Sequence, residues 1–205
     1  MEYRKHTSLK DLAQALGVSI PTVSRALKDS PEISRELCTK AKELAKEMNY
    51  RPNPFAMSLR KNAPRIIGVI VPDIVTHFFA SILNRIENMA IANGYFVIIT
   101  TSHESYEHEK RNIENLVNMR VEGIIACLSQ ETTDFSHISA LKDINMPLIL
   151  FDRVCLTDQF SSVVADGAQS AQMATQHLLD NGSKRVAFIG GANHLDIVKR
   201  RKHGY

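Results

Sequence analysis

Within one short stretch, Ile20, Pro21, Thr22 and Arg25 have the types and spacing to meet the edge of a base pair. A guanidinium presents a planar fork of N–H donors, and the N7 and O6 acceptors of guanine in the major groove fit that fork. Such chemistry needs the four side chains on the outer side of one rigid element, so the neighbouring residues decide whether it is available.

Those neighbours predict a small helical head. Leu9, Leu12, Ala13 and Leu16 recur at helical spacing behind Ser8, which with Asp11 makes a capping box, and Gly17 ends the helix. Ser19 caps a second helix running to about Lys28, with Pro21 in the first turn where a missing N–H costs little. Val23 and Leu27 supply its inner face, which leaves Ile20, Pro21, Thr22 and Arg25 outside. After Asp29-Ser30-Pro31, Ser34 opens a third helix with an apolar face of Leu37, Cys38, Ala41, Leu44, Ala45 and Met48. Two prolines in Tyr50-Arg51-Pro52-Asn53-Pro54 then stiffen a linker, and Asn53 caps a helix of one to two turns over Phe55 to Arg60. A helix, a tight turn and a second helix with a free outer side meet the requirements of a helix-turn-helix; the same pattern also describes a plain three-helix bundle.

Charge separates the two uses. Up to Arg65 there are thirteen Lys or Arg against seven Asp or Glu, and beyond it twelve against fifteen, so a segment of +6 precedes one of −3 in a chain of net +3. A positive head on a mildly negative body suits a polyanion at one end only, and nucleic acid is the leading candidate. With 44% hydrophobic and 23% charged residues the chain has the composition of a folded protein rather than a disordered one. No apolar run approaches the roughly 18 residues of a membrane helix, and Met1 to Lys10 has no apolar signal core. Cys38, Cys127 and Cys155 are widely spaced and odd in number, as expected of reduced thiols in the cytoplasm.

From Ile66 the texture changes. Apolar runs at Ile66 to Val71, Phe96 to Thr100, Ile124 to Leu128 and Leu148 to Phe151 read as buried strands. Helical patterns lie between and around them at Phe79 to Asn93, Glu107 to Met119 and Ser136 to Ile144. A strand at Ser162 to Ala165, a helix from Gln169 to Asp180 closed by Gly182, a strand from Arg185 to Ile189 and a helix beginning near His194 continue the alternation. Repeated βαβ units imply a parallel, doubly wound sheet.

Little in this part suggests catalysis. Ile189-Gly190-Gly191 follows a strand pattern but lacks the glycine spacing of a nucleotide loop. The eight histidines form no metal-ligand spacing, and no Ser or Cys stands in a nucleophile elbow. No catalytic residue, metal site or cofactor is expected, and the protein is read as not an enzyme.

The order of residues in the head, Ser8-Leu9-Lys10-Asp11-Leu12-Ala13, Gly17-Val18-Ser19, Thr22-Val23-Ser24-Arg25 and Asn49-Tyr50-Arg51-Pro52-Asn53, resembles the headpiece of LacI/GalR regulators. Beyond Arg65, Ile67-Gly68-Val69-Ile70-Val71-Pro72-Asp73, His77-Phe78-Phe79, Gly94-Tyr95, Val121-Glu122-Gly123-Ile124-Ile125 and Phe151-Asp152-Arg153 are similar to that family's effector core. The resemblance implies an α+β two-domain chain: an all-α helix-turn-helix headpiece, then an α/β parallel-sheet, periplasmic-binding-protein-like core with an incomplete second lobe. The expected divisions are 1–50 for the headpiece, 51–64 for linker and hinge helix, 65–161 for the first lobe and 162–205 for the start of the second. The family continues past the point matching Tyr205, so the chain is expected to be a fragment of the whole architecture.

The same resemblance implies a cytoplasmic, homodimeric repressor of transcription that holds a near-palindromic double-stranded DNA operator under the control of a small carbohydrate-like effector. It implies DNA contacts from Ser8, Ser19, Ile20, Pro21, Thr22, Ser24, Arg25, Lys28, Tyr50, Asn53, Met57, Leu59 and Arg60. Leu59 stands where the family wedges a leucine into the minor groove, while Met57 departs from the arginine common there; Arg60 and Lys61 partly substitute for its charge. Effector contacts are expected from Phe79, Ser129, Asp152 and Arg201, with Phe79 and Asp152 at or just beyond the carboxyl ends of strands, where open α/β sheets bind ligands. Two other readings stay open: a sugar-binding module that does not bind an operator, and an enzyme of Rossmann type.

Overall fold

The structure, a computed structural model, describes residues 7–50 and 65–205. The expected hinge helix, with Asn53, Met57, Leu59 and Arg60, lies outside the described residues. Contacts divide the chain into two compact units, Met1–Arg60 and Lys61–Tyr205.

The first unit is built from α1 (Leu9–Leu16), α2 (Ile20–Ala26) and α3 (Arg35–Glu47). Each start is capped by a serine. Ser8 Oγ accepts from Asp11 N at 3.3 Å while Asp11 Oδ2 accepts from Ser8 N at 2.8 Å, and Ser19 and Ser34 accept from Thr22 N and Leu37 N. These bonds satisfy amide donors that the first helical turn leaves without partners. Gly17 closes α1 at φ 66°, a left-handed position that a side chain would strain. Helix α2 stops at Ala26, two residues before the expected end, because Asp29 turns the chain at φ 54° and Ser30 N donates back to Arg25 O. Leu12, Ala13, Val23, Ala26, Cys38, Ala41 and Ala45 form the buried centre. Alanines on α3 let three short helices approach closely enough to exclude water.

The second unit is a five-stranded parallel sheet in the order β2-β1-β3-β4-β5, from β1 (Ile66–Val71), β2 (Phe96–Thr101), β3 (Gly123–Ala126), β4 (Leu148–Phe151) and β5 (Ser161–Val163). Between the strands run α4 (His77–Ala92), α5 (Tyr106–Asn118) and α6 (Ser136–Asp143); α7 (Gly167–Asp180) and α8 (Asp196–Gly204) follow β5. Ile66, Ile70, Ile124 and Leu150 pack with Ile113, Leu116, Ile138 and Leu141 of α5 and α6. Val69, Val71, Cys127 and Phe151 pack with Phe79 and Leu83 of α4. Helices therefore cover both faces, as parallel pairing requires. Gly68 permits the closest of these contacts: a Cβ there would lie 2.6 Å from Leu116 Cδ1, so its absence lets α5 sit down on β1.

Three expectations change. The strand β2 pairs only with β1 and is half-exposed, with Phe96 and Ile99 open to solvent, because an edge strand has a neighbour on one side alone. The strand expected to open a second lobe at residue 162 belongs to the first sheet: Ile149, Leu150 and Phe151 pair with Ser161, Ser162 and Val163. No strand forms at 185–189, where Ile189 is 95% exposed. An extended apolar segment becomes a strand only beside a row of unpaired N–H and C=O groups, and none of the five described strands lies alongside it. Tyr205 at the end of α8 holds that segment instead, donating to Val186 O at 2.7 Å and lying 5.5 Å, centroid to centroid, from the Phe188 ring. Past β5 the described residues supply helices without a second sheet, as an incomplete second lobe would.

Candidate nucleic-acid interface and ligand cleft

In α2 the inward positions Val23 and Ala26 are fully buried, which fixes the rotation of the helix. Ile20, Pro21 and Arg25 are then exposed, and Thr22 is half-buried with its hydroxyl 2.7 Å from Ser19 Oγ. Lys28, Ser8 and Ser19 are exposed, and Ser24 is half-buried. Tyr50 is held differently: its N–H donates to Ala45 O at 2.8 Å and its ring packs against the cluster of Leu12, Val23 and Ala45. The outer side thus combines an aliphatic group, a hydroxyl and a guanidinium, with Lys28 beyond the end of the helix. Arg25 Nη1 donates to Glu32 Oε2 at 2.8 Å, an ion pair that the spacing of the sequence does not reveal.

The second candidate site lies at the carboxyl ends of β2, β3 and β4. There Arg153 forks onto Glu104, with Nη1 to Oε2 at 2.6 Å and Nη2 to Oε1 at 2.9 Å, and Nη1 also donates to Leu128 O at 3.2 Å. Gln130 N donates to Glu104 Oε2 at 2.7 Å, and Gln130 O lies 2.8 Å from His194 Nε2. Three strand-end loops are therefore laced by charge-assisted bonds, and His194 ties the segment before α8 to the Gln130 carbonyl. Burial pushes the Glu104 carboxyl up, but the bonds from Arg153 and Gln130 N outweigh it and hold it below its ordinary value. Asp152 turns the chain at φ 58° and is half-buried; burial raises its carboxyl, against the opposing pull of Arg153 and Arg201. Two of the expected effector residues, Asp152 and Arg201, are thus brought within electrostatic reach of each other.

The other two sit differently. Phe79 is 6% exposed and packs among Val69, Val71, Leu83, Cys127 and Phe151, its ring 6.4 Å from that of Phe151, so it belongs to the core rather than offering a plane to a ligand. Its neighbour Phe78 is 49% exposed. The first turn of α4 points one of the two adjacent aromatics inward, and sequence spacing alone does not say which. Ser129 is fully buried: its N–H donates to Glu109 and its Oγ accepts from Glu131 N at 3.2 Å. It shapes its loop from within. Among the described residues no group of His, Cys, Asp and Glu has the arrangement of a metal site, and no helix is long and apolar enough to cross a membrane.

Residues 8–53 match the family described as bacterial regulatory proteins, lacI family. Residues 65–205 match the periplasmic binding proteins and sugar binding domain of LacI family. The chain belongs to the LacI family.

Among LacI-family relatives, it is 32% identical over 202 residues to catabolite control protein A of Priestia megaterium, covering 96% of this chain and 60% of that one. It is 31% identical over 197 residues to the ribose operon repressor of Bacillus subtilis, covering 96% and 58%. A crystal structure of the lac repressor dimer bound to operator and the anti-inducer ONPF matches with a TM-score of 0.75 at 25% identity, over 98% of this chain and 60% of that one. The chain thus spans about 60% of the length of the curated relatives it matches. By name these relatives are a control protein and repressors.

Proposed function

We propose that this chain is a sequence-specific DNA-binding regulator, acting as a repressor, that reads a near-palindromic operator as a dimer and responds to a small carbohydrate-like effector. The observation that carries the reading is the rotation of α2, whose buried Val23 and Ala26 set Ile20, Pro21 and Arg25 on the open side of a head with net positive charge. Base reading falls to Ile20, Pro21, Thr22 and Arg25; Ser8, Ser19, Ser24, Lys28 and Tyr50 position the backbone; Asn53, Met57, Leu59 and Arg60 carry the hinge contacts. The operator-bound lac repressor dimer supports the same assignment by its overall likeness.

For the effector, Asp152 and Arg201 are the polar contacts, Phe78 replaces Phe79 as the aromatic, and Ser129 acts through the shape of its loop. A carboxylate, a guanidinium and a ring face suit a polyhydroxyl ligand. Dimerisation is supported by the apolar surface of Met89 and Ile91 on α4 and of Phe96 and Ile99 on the edge strand β2, a combination that exposed edges rarely carry without a partner.

Selection of duplexes from a random library, followed by titration over a salt series, tests the DNA reading. A preferred near-palindromic site, with affinity falling steeply as salt rises, is expected from contacts to several phosphates. Flat or absent DNA binding overturns it in favour of a sugar-binding module, and half-sites of unlike sequence overturn the symmetric dimer.

A further inference from the structure

The ion pair between Arg25 and Glu32 has no evident structural purpose. Its side chains are 51% and 66% exposed, and pairs in water contribute only about 0 to 1 kcal/mol to folding. The neighbouring acid Asp29 is taken by Lys42 of α3 at 2.6 Å, whereas Glu32, on the connection between α2 and α3, reaches the guanidinium on the outer side of α2.

Geometry gives the pair a use that rests on the DNA-reading function proposed above. Glu32 engages Nη1 alone, so the Nε–Nη2 edge of Arg25 keeps its donors for a base. In a groove that excludes water, the carboxylate–guanidinium bond strengthens and restricts the rotamers of a long side chain. Less freedom is then lost when the fork meets guanine. The same carboxylate sits badly beside phosphates, so it weakens attachment to DNA of any sequence. Both effects widen the gap between the right site and a wrong one.

We infer that Glu32 is a specificity-determining residue that orients Arg25 toward its base pair and opposes indiscriminate DNA binding. It is a positioning residue: its action passes through Arg25.

The test uses the full 205-residue chain, with the duplex selected by the unaltered protein and the four base-pair variants at the position whose preference Arg25→Ala abolishes. Glu32→Gln keeps the shape and removes the charge on an exposed loop. It is expected to reduce discrimination at that one position about three- to tenfold, to leave the other positions unchanged, and to bind a random-sequence duplex as tightly as before or more tightly. In an Arg25→Ala background, Glu32→Gln should leave the base profile unaltered. A Glu32→Gln profile identical to that of the unaltered protein overturns the inference. So does an equal change with Arg25 absent, which marks a simple charge effect. If the unaltered protein prefers no duplex at all, the DNA-reading function itself fails and this inference falls with it, a result distinct from failure of Glu32 alone.

Discussion

His137 Nε2 donates to Glu109 Oε1 at 2.8 Å, and the two side chains are only 4% and 1% exposed. The carboxylate also accepts from Thr132 Oγ1 at 2.9 Å and from Ser129 N, so one buried group from α5 gathers the loop after β3 and the start of α6. The Tyr106 ring stands edge-on to His137 at 5.1 Å and its hydroxyl donates to Asp134. Within this cluster, burying the carboxylate is tolerable because its oxygens are satisfied by three donors, two on the loop after β3 and one on α6.

Removing that acceptor leaves buried donors without a partner. Glu109→Ala should therefore destabilise the second unit by about 3 to 5 kcal/mol, read as a lower urea midpoint for the transition of that unit. A shift within error of zero contradicts the arrangement.

The head has a small core, so one deletion matters there. Leu12 is fully buried between the three helices, and Leu12→Ala should cost about 2 to 5 kcal/mol, enough to unfold a domain of this size. Operator binding should vanish while the transition of the second unit stays in place, as calorimetry on the whole chain would reveal.

Two cations at one end of α2 should behave differently. Arg25→Ala is expected to cost about 1 to 3 kcal/mol at a single base pair and relax choice there. Lys28→Ala should weaken all duplexes alike and reduce the salt slope by about one. Interchanged outcomes would reverse which of the two reads bases.

Acid sensitivity follows from Glu104. Its carboxyl lies below the ordinary value of 4.5 in the folded chain, so the stabilisation it supplies is complete above that value and is lost as pH falls through the lower, folded one. Urea midpoints measured across the acid range should therefore decline less steeply for Glu104→Gln than for the unaltered protein. Parallel curves would exclude the Glu104–Arg153 pair as a source of that decline.

Asp152 has the opposite sign. Burial raises its carboxyl, so ionisation at neutral pH works against folding, and asparagine accepts the same left-handed backbone. Asp152→Asn should leave the second unit as stable or more stable at neutral pH while weakening any sugar-dependent response. A stability gain with an unchanged response would remove Asp152 from the proposed effector set.

Local chemistry was the most legible part of the sequence. Ser8 with Asp11, Gly17, Ser19 with Pro21, and Gly182 each act through the backbone of a few neighbours, and the helices they bound follow closely. What required the third dimension was choice between neighbours and between sheets. Phe78 and Phe79 are chemically alike, and only the seating of α4 on Val69 and Val71 decides which is buried. The apolar run at 185–189 has strand composition, but pairing depends on a partner edge that composition cannot supply. Ser129 stands at a position where the family resemblance implies an effector contact, and nothing near it in sequence shows that the carboxylate holding its loop is twenty residues away, on α5. Glu32 was invisible as a partner of Arg25 because a spacing of seven means contact only once the chain has turned at Asp29.

Helix α5 carries Leu116 against Gly68 and, two turns earlier, Glu109 beneath the loop after β3. A single added methyl group on β1 would run into the Leu116 side chain, which must then turn out of its place or lift its helix from the sheet. The seating of the helix that carries Glu109 thus owes something to an atom that glycine lacks.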